Sequence, residues 1–307
     1  MPLRHLGYIE LPTNQKKGGF DHAAIHLHSK TLYVAHTAND AVDIIDCNGG
    51  HYLKSITNLP GVAGVLVSNE EDLVFTSNRG EDTVGVFTQE EDSNVEKVKI
   101  GGRPNGLAFN PSRDLLLAAN VAGPEDSGSI TASIVNVKEK MMVGDVNVPG
   151  RTRWTVYDPE SDRFYVNISS PPQIAIIDGE DPDGLAGSLQ IPGVGPHGLD
   201  LDVKNRRLFC ACDDGGLYTV ELESKRVSKV ASLAGTPDVI FHNSRLGHLY
   251  VAIGDPGIIQ VFDTEKAAIV QTLKTELGTH TIAFDQNTSK VYAFMPESHR
   301  ASTFIDE

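Results

Sequence analysis

Three histidines and one aspartate recur at a regular interval in this chain: His22, His197, Asp238 and His280, the last three separated by 41 and 42 residues. Neutral imidazole is a ligand for zinc, copper, nickel or ferrous iron, and a carboxylate adds a charged oxygen. Brought together, the four would hold one divalent transition metal, which would polarise a carbonyl or lower the pKa of a bound water. His36 lies close to His22 in the chain and would be a further ligand or would support one of the ligands from behind; either His36 or Asp238, if left free of the metal, would act as general base. Arg153 carries a permanent charge, and its planar fork suits a carboxylate or a phosphate. Asn78, Asn105 and Asn120 carry amides able to orient such an anion by hydrogen bonds, or to tie down backbone at turns. The same imidazoles would also be at home in a solvated polar channel, bonded to water and to backbone carbonyls.

No local metal motif has these spacings, so the chemistry depends on what repeats. One phrase recurs along the chain. It begins Asp21-His22-Ala-Ala-Ile-His, continues with LYVAH from Leu32, and ends with AVDIID at Asp46. A later copy runs Pro237-Asp238-Val-Ile-Phe-His, then LYVAI from Leu249, then IIQVFD ending at Asp263. Another gives RWTVYD, FYVNI and IAIID, ending at Asp178. Aligning the first polar position of each copy gives His22, Ala63, Asn105, Arg153, His197, Asp238 and His280, with steps of 41, 42, 48, 44, 41 and 42 residues. That is the period of a four-stranded blade, roughly 40–50 residues.

Each unit reads as four short strands of period-2 alternation, separated by Gly, Pro, Asn and Asp turns. The chain is therefore expected to be all-β, a single seven-bladed β-propeller over 1–307, with blades starting near 21, 62, 104, 152, 196, 237 and 279. The seventh unit stops after its third strand. Residues 7–12 match the ending of the other units, so the N-terminal strand should complete the last blade and close the ring. A six-bladed ring with a loose tail, or a sandwich, is the alternative.

In such a ring the first strand of each blade lines the tunnel, and the seven aligned residues share one mouth. Blades five, six, seven and one are neighbours and supply His197, Asp238, His280 and His22. Arg153 should face them across the tunnel, or pair with an acid there. The last residues of the second strands, His36, Asn78 and Asn120 among them, should reach the same face, with Arg79 and Arg103 in nearby loops. His26, His28, His51 and His242 read as structural or surface residues, and Met141–Met142 as packing. The stretch 121–130 reads as a long loop, and its Glu125–Asp126 pair as a lid or as an exposed acidic turn.

LYVAHTANDAVDIID and LYVAIGDPGIIQVFD resemble the YVTN-type β-propeller repeat, over essentially the whole chain. Propellers of this kind include lactonases, lyases, cell-surface proteins and many of unknown role, so the resemblance implies the fold and leaves the activity to the site. Gluconolactonase-type propellers hold a divalent ion with a glutamate, asparagines and an aspartate; the aligned ring here has no glutamate, and its histidines suit a softer metal than calcium. Two functions follow. One is a metal-dependent hydrolase or lyase of lactone type, with Arg153 holding an anionic substrate. The other is a non-catalytic scaffold presenting its face to a small ligand or a protein.

Composition narrows the partners. The formal net charge is −15, which repels nucleic acid and anionic membrane surfaces. No run of about 18 apolar residues is present to span a bilayer. MPLRHLGYIELP lacks the apolar core of a signal peptide, and three sparse cysteines, Cys47, Cys210 and Cys212, suit a reducing compartment. A cytoplasmic protein is expected, with a processed secreted form as the alternative. No GxSxG elbow, Walker-type loop or GxGxxG fingerprint stands in its required context.

Overall fold

The computed structural model describes residues 2–92, 94–121 and 130–307. Among the described residues 28 strands form seven four-stranded antiparallel sheets. Blade one runs outward through β2 (Ala23–His26), β3 (Thr31–His36), β4 (Ala41–Asp46) and β5 (His51–Ile56). The next five blades repeat that order. In the seventh, Thr281–Asp285, Lys290–Met295 and Arg300–Asp306 are followed outward by β1 (Leu3–Glu10). The register pairs Leu3 with Asp306 and Glu10 with Arg300. Ring closure by the N-terminal strand is thus observed, with that strand covering Leu3–Glu10.

Blades stand face to face around the tunnel, and the apolar core lies between them. Seven buried clusters are found among the described residues, each made by two neighbouring blades. This explains why LYVA-type strands are apolar on both faces: β3 is buried along its whole length, because each face meets a different blade. The alternation expected of every strand is therefore absent from these middle strands, and the outermost ones are largely exposed. Met141 and Met142 lie on such a strand and are exposed, not packed. The long-loop pair Glu125–Asp126 lies outside the described residues.

Close approach of the innermost strands fixes the tunnel wall. The amide of His22 donates to the Ala63 carbonyl at 3.0 Å, and that of Val239 to the His280 carbonyl at 3.4 Å. Gly198 is required at the junction of blades five and six, since a Cβ there would sit 2.3 Å from the Asp238 carbonyl oxygen. Backbone contacts alone thus tie the aligned residues together at the junctions of blades one and two, five and six, and six and seven. Among the described residues no helix is long and apolar enough to cross a membrane.

Candidate functional site

The innermost strands begin at one tunnel mouth, and the site centres on His197. Its Nδ1 lies 2.7 Å from Asp213 Oδ1 and its Nε2 lies 3.2 Å from Asp238 Oδ1. Burial disfavours charge on the ring, but Asp238 and Asp213 outweigh it and raise the pKa to about 9. The imidazole is therefore charged at neutral pH. Asp238 is buried as well, which favours its acid form. His197, then His280 and His22, overcome this and hold its carboxyl well below the usual range.

Cations gather around this pair. Arg153 does not face the histidines across the tunnel; it lies beside His197, with Nη2 3.5 Å from Asp213 Oδ2 and Nη1 3.4 Å from His197 Nε2. The two cations tolerate each other because Asp213 and Asp238 stand between and around them. Arg79 donates to Asp21 Oδ2 at 2.9 Å and to Asn105 Oδ1. Arg151 has its pKa lowered, first by burial and then by Arg153, Arg79 and Arg103. Four arginines from blades two to four thus lie within one another's field. The Nε atoms of Arg79 and Arg153 are buried without a hydrogen-bond partner among the described residues.

The remaining aligned residues divide by role. His22 stacks on Trp154, with ring centroids 4.0 Å apart, and Trp154 meets Phe241 edge-on at 6.1 Å. These three rings bridge the tunnel below the mouth. Burial lowers the His22 pKa despite Asp21 and Asp238, so the stacked ring is neutral. His280 donates Nδ1–H to the Gly278 carbonyl at 2.8 Å, a bond that leaves Nε2 as the acceptor in the neutral ring.

The four expected metal ligands do not make a ligand shell. Among the described residues no group of three or more His, Cys, Asp or Glu side chains is arranged to hold a metal ion. His197 has both nitrogens engaged by carboxylates, and His22 is committed to Trp154. His36 is not at the mouth either. It is fully buried, bonded through Nδ1 to Asp43 at 2.7 Å and through Nε2 to Asn14 at 2.8 Å, and it packs on Phe20. Its partners make it a structural residue of blade one, so it has no route to a substrate. Asn78 and Asn120 are likewise buried inside their blades, donating to Thr83 and to Thr131 and Ser133. All three end second strands, which lie one strand farther from the axis and point between blades. Asn105 alone of the three asparagines meets the mouth, through Arg79.

Sequence reasoning missed Asp213, Asp21, Arg151 and the position of Trp154. A signal was present. Arg79 and Asp213 each follow the last residue of a second strand, Asn78 and Cys212, and so occupy equivalent places in the repeat. The turn after that strand, not its end, reaches the mouth.

Comparison with known proteins agrees with the architecture. Residues 13–143 match the family described as "Lactonase, 7-bladed beta-propeller". An uncharacterized protein of Staphylococcus saprophyticus is 28% identical over 116 residues, covering 33% of this chain and 34% of that protein. An uncharacterized protein of Staphylococcus aureus is 29% identical over 119 residues, covering 34% of this chain and 35% of that protein. The aligned part of this chain spans about a third of the length of these curated relatives. Hydrazine synthase of Kuenenia stuttgartiensis superposes with a TM-score of 0.83 at 12% identity, covering 96% of this chain and 97% of that one. That likeness is one of fold.

Proposed function

We propose that the tunnel mouth binds a small organic anion and opens an ester ring within it, as a lactone hydrolase. The observation that carries this reading is the charge pattern: four arginines and an imidazolium gather at one mouth with three carboxyl groups, Asp21, Asp213 and Asp238, which leaves cations in excess there in a chain whose net charge is −15. Such a mouth draws small anions toward itself against the field of the whole molecule. The arginine forks would hold a carboxylate or phosphate remote from the reacting bond. The lactonase match supports the choice of chemistry, although it covers blades one to three and not His197.

In this reading His280 takes a proton from water through its free Nε2, and the water oxygen bonds to the lactone carbonyl carbon. Arg153 stabilises the oxyanion that forms. The ring C–O bond then breaks as His197 gives the Nε2 proton it shares with Asp238 to the departing oxygen, yielding a hydroxy acid, and the proton held by His280 returns to His197 through water. Asp213 and Asp238 keep His197 protonated and oriented, and Asp238 would act through it without taking the water's proton itself.

A panel of five- and six-membered lactones, with and without a carboxylate or phosphate, tests this at neutral pH by acid release. Turnover is expected for the anionic lactones. His197→Gln should lower kcat by about a hundredfold or more, the usual scale of general acid catalysis. Arg153→Met should raise KM for anionic lactones. Anion binding without turnover of any lactone would overturn the hydrolase and leave the scaffold reading.

A further inference from the structure

Below the rings of His22, Trp154 and Phe241 the tunnel widens into a cavity of about 590 Å³, within the range of small-molecule sites. Its wall is largely apolar and aromatic, with Val65, Leu107, Trp154, Tyr157, Phe241 and Phe284 along it. Polar side chains also border it: Ser68, Asn69 and Glu70 at its outer end, Thr155, and Asp200. Asp200 lies on the inner strand of blade five. Its Oδ1 accepts from the Leu201 amide at 2.9 Å and its Oδ2 from the His242 amide at 2.6 Å. Among the described residues no Lys, Arg or His lies within salt-bridge distance of it. Burial, aided by the nearby Asp202, pushes its carboxyl up to about 7 in spite of the two amide hydrogen bonds.

The bond to His242 stitches blade five to blade six, yet that stitch does not need a charge. A neutral amide makes an inter-blade link of the same kind from another position of the repeat: between blades one and two, Asn69 Oδ1 accepts from the Leu27 amide at 2.6 Å. A carboxylate in this place carries a desolvation cost that an asparagine would avoid. Each of its oxygens keeps a second acceptor site, and the walls around it present aromatic rings, which attract cations.

We infer that this cavity is a second site, separate from the mouth, for a cationic ligand with an apolar body, an organic amine or quaternary ammonium whose charge pairs with Asp200. Apolar surface would fill the cavity, the ammonium would neutralise the half-buried acid, and the aromatic walls would add attraction. The proposal does not rest on lactone chemistry at the mouth.

Trp154 is the only tryptophan of the chain and roofs the cavity, so its fluorescence reports occupancy. Benzyltrimethylammonium is titrated against the full-length protein, with its uncharged isostere neopentylbenzene and the anion 3-phenylpropionate as comparisons. The ammonium should bind saturably and shift the emission, and should bind about tenfold or more tighter than the isostere. Asp200→Asn keeps an acceptor for the blade stitch and should remove that preference. Phe284→Leu, an independent variant, should weaken the ammonium without affecting the fold. Arg153→Met, which alters the mouth alone, should leave it unchanged, so that loss of lactone turnover and loss of ammonium binding are read separately. No saturable binding of the ammonium, equal binding of the isostere, or an unchanged preference in Asp200→Asn would overturn the proposal.

Discussion

His197 sits between two carboxylates and beside an arginine, so its protonation governs the charge of the whole mouth. Its pKa in the fold is about 9, above the ordinary 6.5. The stability gained from the charged ring is therefore complete below about pH 6.5 and is lost as pH rises through about 9. Anion affinity should fall over the same upper limb. Asp213→Asn removes one of the two supporting carboxylates, so the ring should titrate at lower pH and the protein should lose roughly 1 kcal/mol near neutrality. Histidine NMR titration and urea unfolding on both proteins check this; an unchanged titration of His197 would contradict the pairing. The candidate residues at the mouth were legible because their spacing equals the repeat. Their directions were not. The inner strands slip register beside the aligned residue, as between Pro196 and Gly198 and between Thr152 and Thr155. A bulge of that kind re-aims side chains and defeats a period-2 reading, and Trp154 sits on one.

At the level of the strand, the pattern of exposure follows position within the blade. The runs that carried the repeat are second and third strands, flanked by other blades on both faces, and their continuous apolar character made them the clearest signal in the chain. Outermost strands such as β5 face solvent and carry weaker patterns, which is why Met141 and Met142 were misplaced. The innermost strands obey a further rule, that small residues stand where two backbones nearly touch. Gly198→Ala would thrust a methyl group against the Asp238 carbonyl and should cost roughly 2 kcal/mol or more, with weaker anion binding because Asp238 must move. Gly187, on an outer strand, has only Ile176 at ordinary contact distance, so Gly187→Ala should stay within about 0.5 kcal/mol of the parent. Urea unfolding of the two variants side by side separates steric contact from any general effect of replacing glycine.

The whole molecule is a ring without a free inner end, and its cohesion depends on the seam where the two chain ends meet. At that seam β1 contributes Ile9 to the cluster shared by blades seven and one, and Leu3 to the cluster shared by blades six and seven. It is also clamped to blade six: the Leu3 amide donates to Gln271 Oε1 at 2.7 Å, and Gln271 Nε2 donates to the Leu3 carbonyl at 2.9 Å. One strand thus joins three blades. Removing residues 1–12 would uncover two apolar clusters and leave the Arg300–Asp306 strand as an unpaired edge, a template for association with other chains. The truncated protein should melt lower by roughly 10 °C or more and should aggregate on heating. Because the missing piece is a single strand that pairs through backbone hydrogen bonds, a synthetic peptide of residues 1–12 should restore part of the lost melting temperature when added in excess. Calorimetry of the truncated protein with and without the peptide, and with a peptide carrying Leu3→Asp and Ile9→Asp, checks both halves of the argument. An unaltered melting temperature after truncation would mean that the ring holds without its seam. Rescue by the doubly substituted peptide would mean that the backbone ladder, and not the apolar contacts of Leu3 and Ile9, closes the molecule.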